Sequence, residues 1–180
     1  MIDTAPSQPS SPEYATICET VVSEAASTVD ASPVEIPPLY HAIDPDALEA
    51  LFDGREDTAG RVEFTYLGRR VDVRSTGAVT VSPNGDDRGE PDGRAHEWHR
   101  DSPICPSLVE AVTAETGAEP TSMDPLYDAV DPEALERVLN PPPPGKEGAS
   151  AVEFRYCECD VSVTATGTIY VDSVTETPSV

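Results

Sequence analysis

Lysine is almost missing from this chain. Lys146 is the single lysine among 11 basic residues, which face 34 aspartates and glutamates for a formal net charge of −23 over 180 residues. Such a field repels polyanions, and Arg69-Arg70 is the one adjacent basic pair, so nucleic acid is disfavoured as a partner. Long apolar runs are missing too. No segment approaches the roughly 18 apolar residues of a membrane span, and MIDTAPSQPSSPEY at the N-terminus has neither the basic nor the apolar region of a secretory signal. The four cysteines are Cys18, Cys105, Cys157 and Cys159. They lack the repeating arrangement of a disulfide framework, and free thiols in a reducing compartment are expected. Phosphate-binding glycine loops, G-x-S-x-G elbows and H-E-x-x-H motifs are absent from the sequence. The chain is therefore expected to be non-enzymatic, with no catalytic, cofactor-binding or metal residues and no cofactor.

What is present is acidity spread over folded segments. Residues 13–82 hold 13 acidic and 5 basic residues, and residues 102–172 hold 13 and 3. Distributed acidity with almost no lysine fits a cytoplasmic protein that stays hydrated in multimolar salt. There the Debye length is about 3 Å or less, and self-repulsion is screened. An acidic disordered chain is the competing reading, and regular apolar periodicity argues against it.

That periodicity occurs twice. PPLYHAIDPDALEAL (37–51) returns as DPLYDAVDPEALERV (124–138), and VEFTYLGRRVDVRSTGAVTV (62–81) returns as VEFRYCECDVSVTATGTIYV (152–171). The offset grows from 87 to 90 positions, so three residues are inserted between the two blocks. Repetition at this period indicates two copies of one small domain.

Within each copy the spacing predicts two helices and then three strands. Ile17, Val21, Val22 and Ala25 recur at helical spacing, as do Leu108, Val109 and Val112, predicting helices over about 16–28 and 106–116. Asp44-Pro45-Asp46 and Asp131-Pro132-Glu133 each supply an N-cap, a first-turn proline and an acidic residue at the positive end of the helix dipole. Asp53-Gly54 and Asn140-Pro141 end these second helices. Alternation follows at Val62, Phe64, Tyr66, Val71, Val73, Val79 and Val81, and again at Val152, Phe154, Tyr156, Val161, Val163, Ile169 and Val171. Short turns between the runs leave room only for hairpins. Glu158 stands where the first copy has Gly68, so a different turn is expected there.

The expected fold is therefore α+β: two tandem copies of a small two-layer domain, each with two helices packed on a three-stranded antiparallel meander. The expected organisation is a disordered tail (1–12), copy one (13–82), an acidic Gly/Pro linker (83–101), copy two (102–173) and a second tail (174–180). A domain of about 70 residues is marginal alone. The two copies are therefore expected to pack in pseudo-twofold fashion, by sheet edges or by helix surface. Pro141 to Pro144 read as a stiff polyproline II spacer.

Several constellations invite a chemical reading. His96 and His99 flank Trp98 at a spacing that could chelate metal on a helix, but a Gly-rich segment does not hold one, and a solvated linker with a docked Trp is expected. Cys157 and Cys159 offer two soft ligands, short of the four a structural zinc site wants unless Cys105 joins them. Tyr40/Tyr127 and Tyr66/Tyr156 are the most function-like duplicated residues, although Tyr66 and Tyr156 share a face with the core. His41 is replaced by Asp128 in copy two, which argues against a catalytic role.

The pattern PLY-x-A-[IV]-D-P-x-A-L, then V-x-F-x-Y and an alternating V-x-V…G…V, resembles the halobacterial output domain, type one. Pro38–Leu51, Pro125–Leu135, Val62–Val81 and Val152–Val171 carry the resemblance. It implies a haloarchaeal regulatory or interaction module at the output end of signalling, with a protein partner or self-association, and no enzymatic chemistry. Without a receiver or sensor in this sequence, action in trans is expected. The rival expectation is a small-ligand or metal binder at the interface between the copies.

Overall fold

The computed structural model describes residues 16–53, 59–83, 91, 93–99, 101–139 and 149–173. The tails, the helix-ending Gly54 and Asn140-Pro141, and the 141–144 proline run lie outside the described residues.

Helix α1 (Ile17–Thr28) starts at a capping box. The Glu19 amide donates to the Thr16 hydroxyl, and the Thr16 amide donates to the Glu19 carboxylate at 3.0 Å. It buries Val21, Ala25 and Ala26. A 3-10 turn (Leu39–His41) leads into α2 (Pro45–Leu51), where Asp44 accepts from the Ala47 amide at 3.1 Å, and Ala47, Leu48 and Leu51 turn inward. Strands β1 (Gly60–Tyr66), β2 (Arg69–Arg74) and β3 (Val79–Pro83) follow.

A short strand β4 (Arg94–Glu97) precedes α3 (Ile104–Thr116). Helix α3 has no side-chain cap of its own; Glu136, from a later helix, accepts from the Ile104 amide at 2.8 Å. A 3-10 turn (Pro120–Ser122) and the four-residue α4 (Leu126–Ala129) precede α5 (Pro132–Leu139). Asp131 caps α5 by accepting from the amides of Glu133 and Ala134. Strands β5 (Ala149–Tyr156), β6 (Cys159–Thr164) and β7 (Thr168–Ser173) complete the chain.

The strands do not form two separate sheets. They make one seven-stranded sheet in the order β3-β2-β1-β5-β6-β7-β4, with every neighbouring pair antiparallel. The join is the direct pairing of β1 with β5, from Gly60 opposite Phe154 to Phe64 opposite Ala149, with a register shift after Glu63. The reason is the liability of unpaired edges: each half alone would present an open strand beside a small core. The two three-stranded runs thus meet edge to edge, one of the two expected modes of packing. One expectation changes: part of the 83–101 segment is strand β4, not a solvated linker.

Gly167 lets β4 in. It has φ +94°, and its carbonyl accepts from the Trp98 amide at 2.7 Å. A Cβ at this position would lie 2.7 Å from the Trp98 carbonyl oxygen. Trp98 is buried, and its indole nitrogen donates to the Ser102 carbonyl at 3.1 Å.

The first hairpin of each half uses the same turn, contrary to the expectation at Glu158. Leu67 and Gly68 have φ of 55° and 69°; Cys157 and Glu158 have 48° and 63°. Two consecutive positive values match the right-handed twist of the flanking strands. The sheet imposes this conformation and Glu158 tolerates it, at a cost of about 1 kcal/mol that glycine avoids. Glu158→Gly is expected to stabilise the protein by about that amount, read as a higher denaturation midpoint at constant slope.

Candidate interaction surface

All the helices lie on one face of the sheet, because Val62, Phe64, Val71, Val73, Val152, Phe154, Val161, Val163, Ile169 and Val171 form its apolar side. Helix α1 packs on β2 and β3, and α3 packs on β7. Helices α2 and α5 pack on each other, on the side of the sheet where β1 meets β5. The core is continuous across the two halves.

Two arginines tie the halves together, one on each face. On the helical side, Arg137 donates to Asp44 at 2.7 Å, so the carboxylate that caps α2 also reaches α5. On the other face, Arg61 bonds Asp72 through two nitrogens and reaches Glu153 of the second half at 3.4 Å. Neither arginine is duplicated: Ala151 matches Arg61, and Ala50 matches Arg137. Each half contributes one arginine that the other lacks.

The duplicated tyrosines divide into two roles. Tyr66 and Tyr156 are buried, and their hydroxyls donate to backbone carbonyls, Tyr66 to Pro37 and Tyr156 to Asp124, the latter at 2.6 Å. They tether the segment before each second helix to the sheet. Burial, helped by the neighbouring Cys157, pushes the Tyr156 phenol up to about 12 from its usual 10. The folded state thus holds this proton more tightly than the unfolded chain does. The stabilisation is complete below pH 10 and is lost as pH rises toward 12. The slope of stability against pH in that window is expected to flatten in Tyr156→Phe, as read by denaturant titration.

Tyr40 and Tyr127 behave differently. They occupy equivalent positions, Tyr40 in the 3-10 turn and Tyr127 in α4, and are 50% and 61% exposed. Val34, 89% exposed, lies on the loop leading to Tyr40. His41, the neighbour of Tyr40, is exposed.

The suspected ligand sets do not assemble. His96 lies on β4, where Nε2 is 3.8 Å from the Glu115 carboxylate, while His99 is exposed beyond the strand. Arg94 approaches the same carboxylate at 3.6 Å. Among the described residues no three His, Cys, Asp or Glu side chains come together as a metal set, so Cys105 does not complete Cys157 and Cys159. Burial raises the thiols of Cys105 and Cys159. It pushes Cys18 up to about 12, with Glu49 adding to the effect, while the Cys18 thiol faces the Pro45 carbonyl. Raised thiols are poor nucleophiles.

The second face of the sheet carries polar side chains, and in the first half these satisfy one another. Glu63 is buried between Arg61 and Arg70, each 3.6 Å away, and Asp72 is held by Arg61. In the second half Asp160, Ser162 and Asp172 stand where the first has Arg70, Asp72 and Ser82. A cavity of about 580 Å³ opens there, at the junction of β1 and β5. The sequence reading did not single out these residues, although the offset of 90 positions makes the three exchanges visible by alignment.

Residues 13–83 and residues 100–173 each match the family described as Halobacterial output domain 1. Searches of curated proteins and of solved structures find no match. No helix among the described residues is long and apolar enough to cross a membrane. With most of its length covered by these two matches, the chain belongs to the halobacterial output domain 1 family.

Proposed function

We propose that this chain is a non-enzymatic interaction module of haloarchaeal signalling or transcriptional control. It works in the cytoplasm at high salt and engages a protein partner in trans. In this reading the fold is two tandem copies of a two-layer unit, fused at β1 and β5 into a paired scaffold. The observation that carries the proposal is the exposure of Tyr40 and Tyr127 at equivalent positions of the two copies. Tyrosine combines apolar contact area with a polar tip and loses little entropy on docking, which suits it to recognition. Duplicated tyrosines on a paired scaffold favour a partner that presents two equivalent sites.

Affinity capture from native cells in multimolar salt tests this. Wild-type bait is expected to retain a signalling or transcriptional component that the Tyr40→Ala/Tyr127→Ala variant loses. Equal capture by both baits, or recovery of no such component, counts against the reading.

A further inference from the structure

The β6–β7 side of the cavity at the β1–β5 junction lacks the cation that the first half supplies to itself, while Arg61 and Arg74 line the cavity from the first half. In the first half Arg70 places its guanidinium 3.6 Å from Glu63 on the polar face of the sheet. The position equivalent to Arg70 is Asp160. Asp160 on β6 stands directly opposite Asp172 on β7, and directly opposed like charges destabilise a sheet. Neither aspartate has an ion pair among the described residues. Arg155 faces Asp160 across β5 but does not line the cavity.

The second observation is Ser162. Its side chain lines the cavity and is 7% exposed, and its hydroxyl oxygen is buried without a hydrogen-bond partner among the described residues. A buried hydroxyl left unpaired is destabilising, so a group that bonds it here is favoured. On the far side of Ser162 stands Glu153, already engaged by Arg61. The hydroxyl therefore lies near one carboxylate that is ion-paired and two exposed ones that are not. With no three-ligand metal set among the described residues, a bare metal ion does not fit this arrangement.

We infer that this cavity binds a small organic cation, an aliphatic guanidinium or ammonium compound, whose charged head pairs with Asp160 and Asp172 and donates a hydrogen bond to Ser162. A planar guanidinium suits two adjacent carboxylates, since its donors fan out in fixed directions. The cavity, at about 580 Å³, admits a molecule of that size with room for its alkyl chain. Multimolar salt screens exposed ion pairs, and Asp160 and Asp172 are exposed, so binding under those conditions depends on the buried hydroxyl. The site is separate from Tyr40 and Tyr127, which belong to the helical side, so it stands or falls independently of the partner proposed above.

The test uses the full chain in multimolar KCl, titrated with agmatine, L-arginine and 1,5-diaminopentane, and followed by amide NMR. Saturable shifts confined to β5, β6 and β7 are expected for at least one of them. Asp160→Asn/Asp172→Asn should weaken that binding by about tenfold or more, the loss of both charge-assisted contacts. Ser162→Ala should weaken it severalfold with the fold intact. Without ligand, the double asparagine variant should melt at a higher temperature than wild type, because the opposed charges are gone. The proposal is overturned by the absence of saturable shifts for all three compounds. It is equally overturned by unchanged affinity in the double variant, or by Mg²⁺ alone reproducing the shifts, which would mark an inorganic cation site.

Discussion

Residues 91–180, expressed without the first half, are expected to run as a concentration-dependent dimer, not as a stable folded monomer. Removing the first half strips β5 of its partner β1 and α5 of its partner α2. The edge left behind includes Val152 and Phe154, whose side chains are buried in the intact chain. A unit of this size buries only about 60% of its unfolded surface, so losing a shared core leaves too little to hold it. A second copy of the same fragment can supply part of what is missing. Asp131 is the equivalent of Asp44, so Arg137 can reach it across a twofold axis. On the sheet side, Glu153 would meet Ala151 in place of Arg61, and that ion pair is lost. Light scattering after size exclusion checks the expectation. A monomer that unfolds cooperatively at the temperature of the full chain would show that the halves do not need each other.

Phe64→Ala is expected to destabilise the whole protein, second half included, by about 3–5 kcal/mol. Phe64 is fully buried on β1, among the largest side chains in the core, and β1 contacts both β2 and β5. A domain's total stability is about 5–15 kcal/mol, so one such cavity removes a large share. Trp98 is the sole tryptophan and sits beside β4, at the opposite end of the strand order from β3. Its emission therefore reports on the second half. A single cooperative unit requires the Trp98 transition to move together with far-UV circular dichroism in this variant. A Trp98 transition that stays at its wild-type midpoint would mean that the halves unfold separately.

Much of the local structure was legible because it depends on neighbours in sequence. Asp44 and Asp131 announce their helices through cap chemistry, and Val62-x-Phe64-x-Tyr66 announces a strand by alternation alone. The capping box at Thr16 and Glu19 was not read from the sequence, although both partners lie within four residues. The pairing of the halves was expected, by sheet edges or by helix surface, but the choice between the two was not. A strand that pairs on both sides and one that pairs on one side carry the same period, so β1 and β5 gave no sign of which edge they would use. Strand β4 was obscured for a different reason. Residues 94–97 are short and polar, and what makes them a strand is the open edge of β7 together with the close approach allowed at Gly167. The turn at Cys157-Glu158 shows tertiary structure overriding local preference, because the strand register on either side fixes both residues at positive φ.

The cavity was hidden in a comparison of the two copies. Attention to shared residues finds the scaffold, since Ala47/Ala134, Leu48/Leu135 and Phe64/Phe154 are packing positions. The exchanges Arg70 to Asp160, Asp72 to Ser162 and Ser82 to Asp172 concern the opposite, polar face of the sheet. They matter only once the register places them beside one another. The single arginines Arg61 and Arg137 carry the same lesson: residues unique to one copy add the ion pairs that link the two halves.

Amide hydrogen exchange at the β1–β5 junction tests the central claim most directly, namely that the two output domains share one sheet. In the intact chain at high salt, the amides of β1 and β5 that point into the junction are expected to exchange only through global unfolding, at the rate of the most protected amides in β6. Exchange there at the rate of an exposed strand edge, with β2 and β6 still protected, would contradict the shared sheet and return the protein to two domains on a tether.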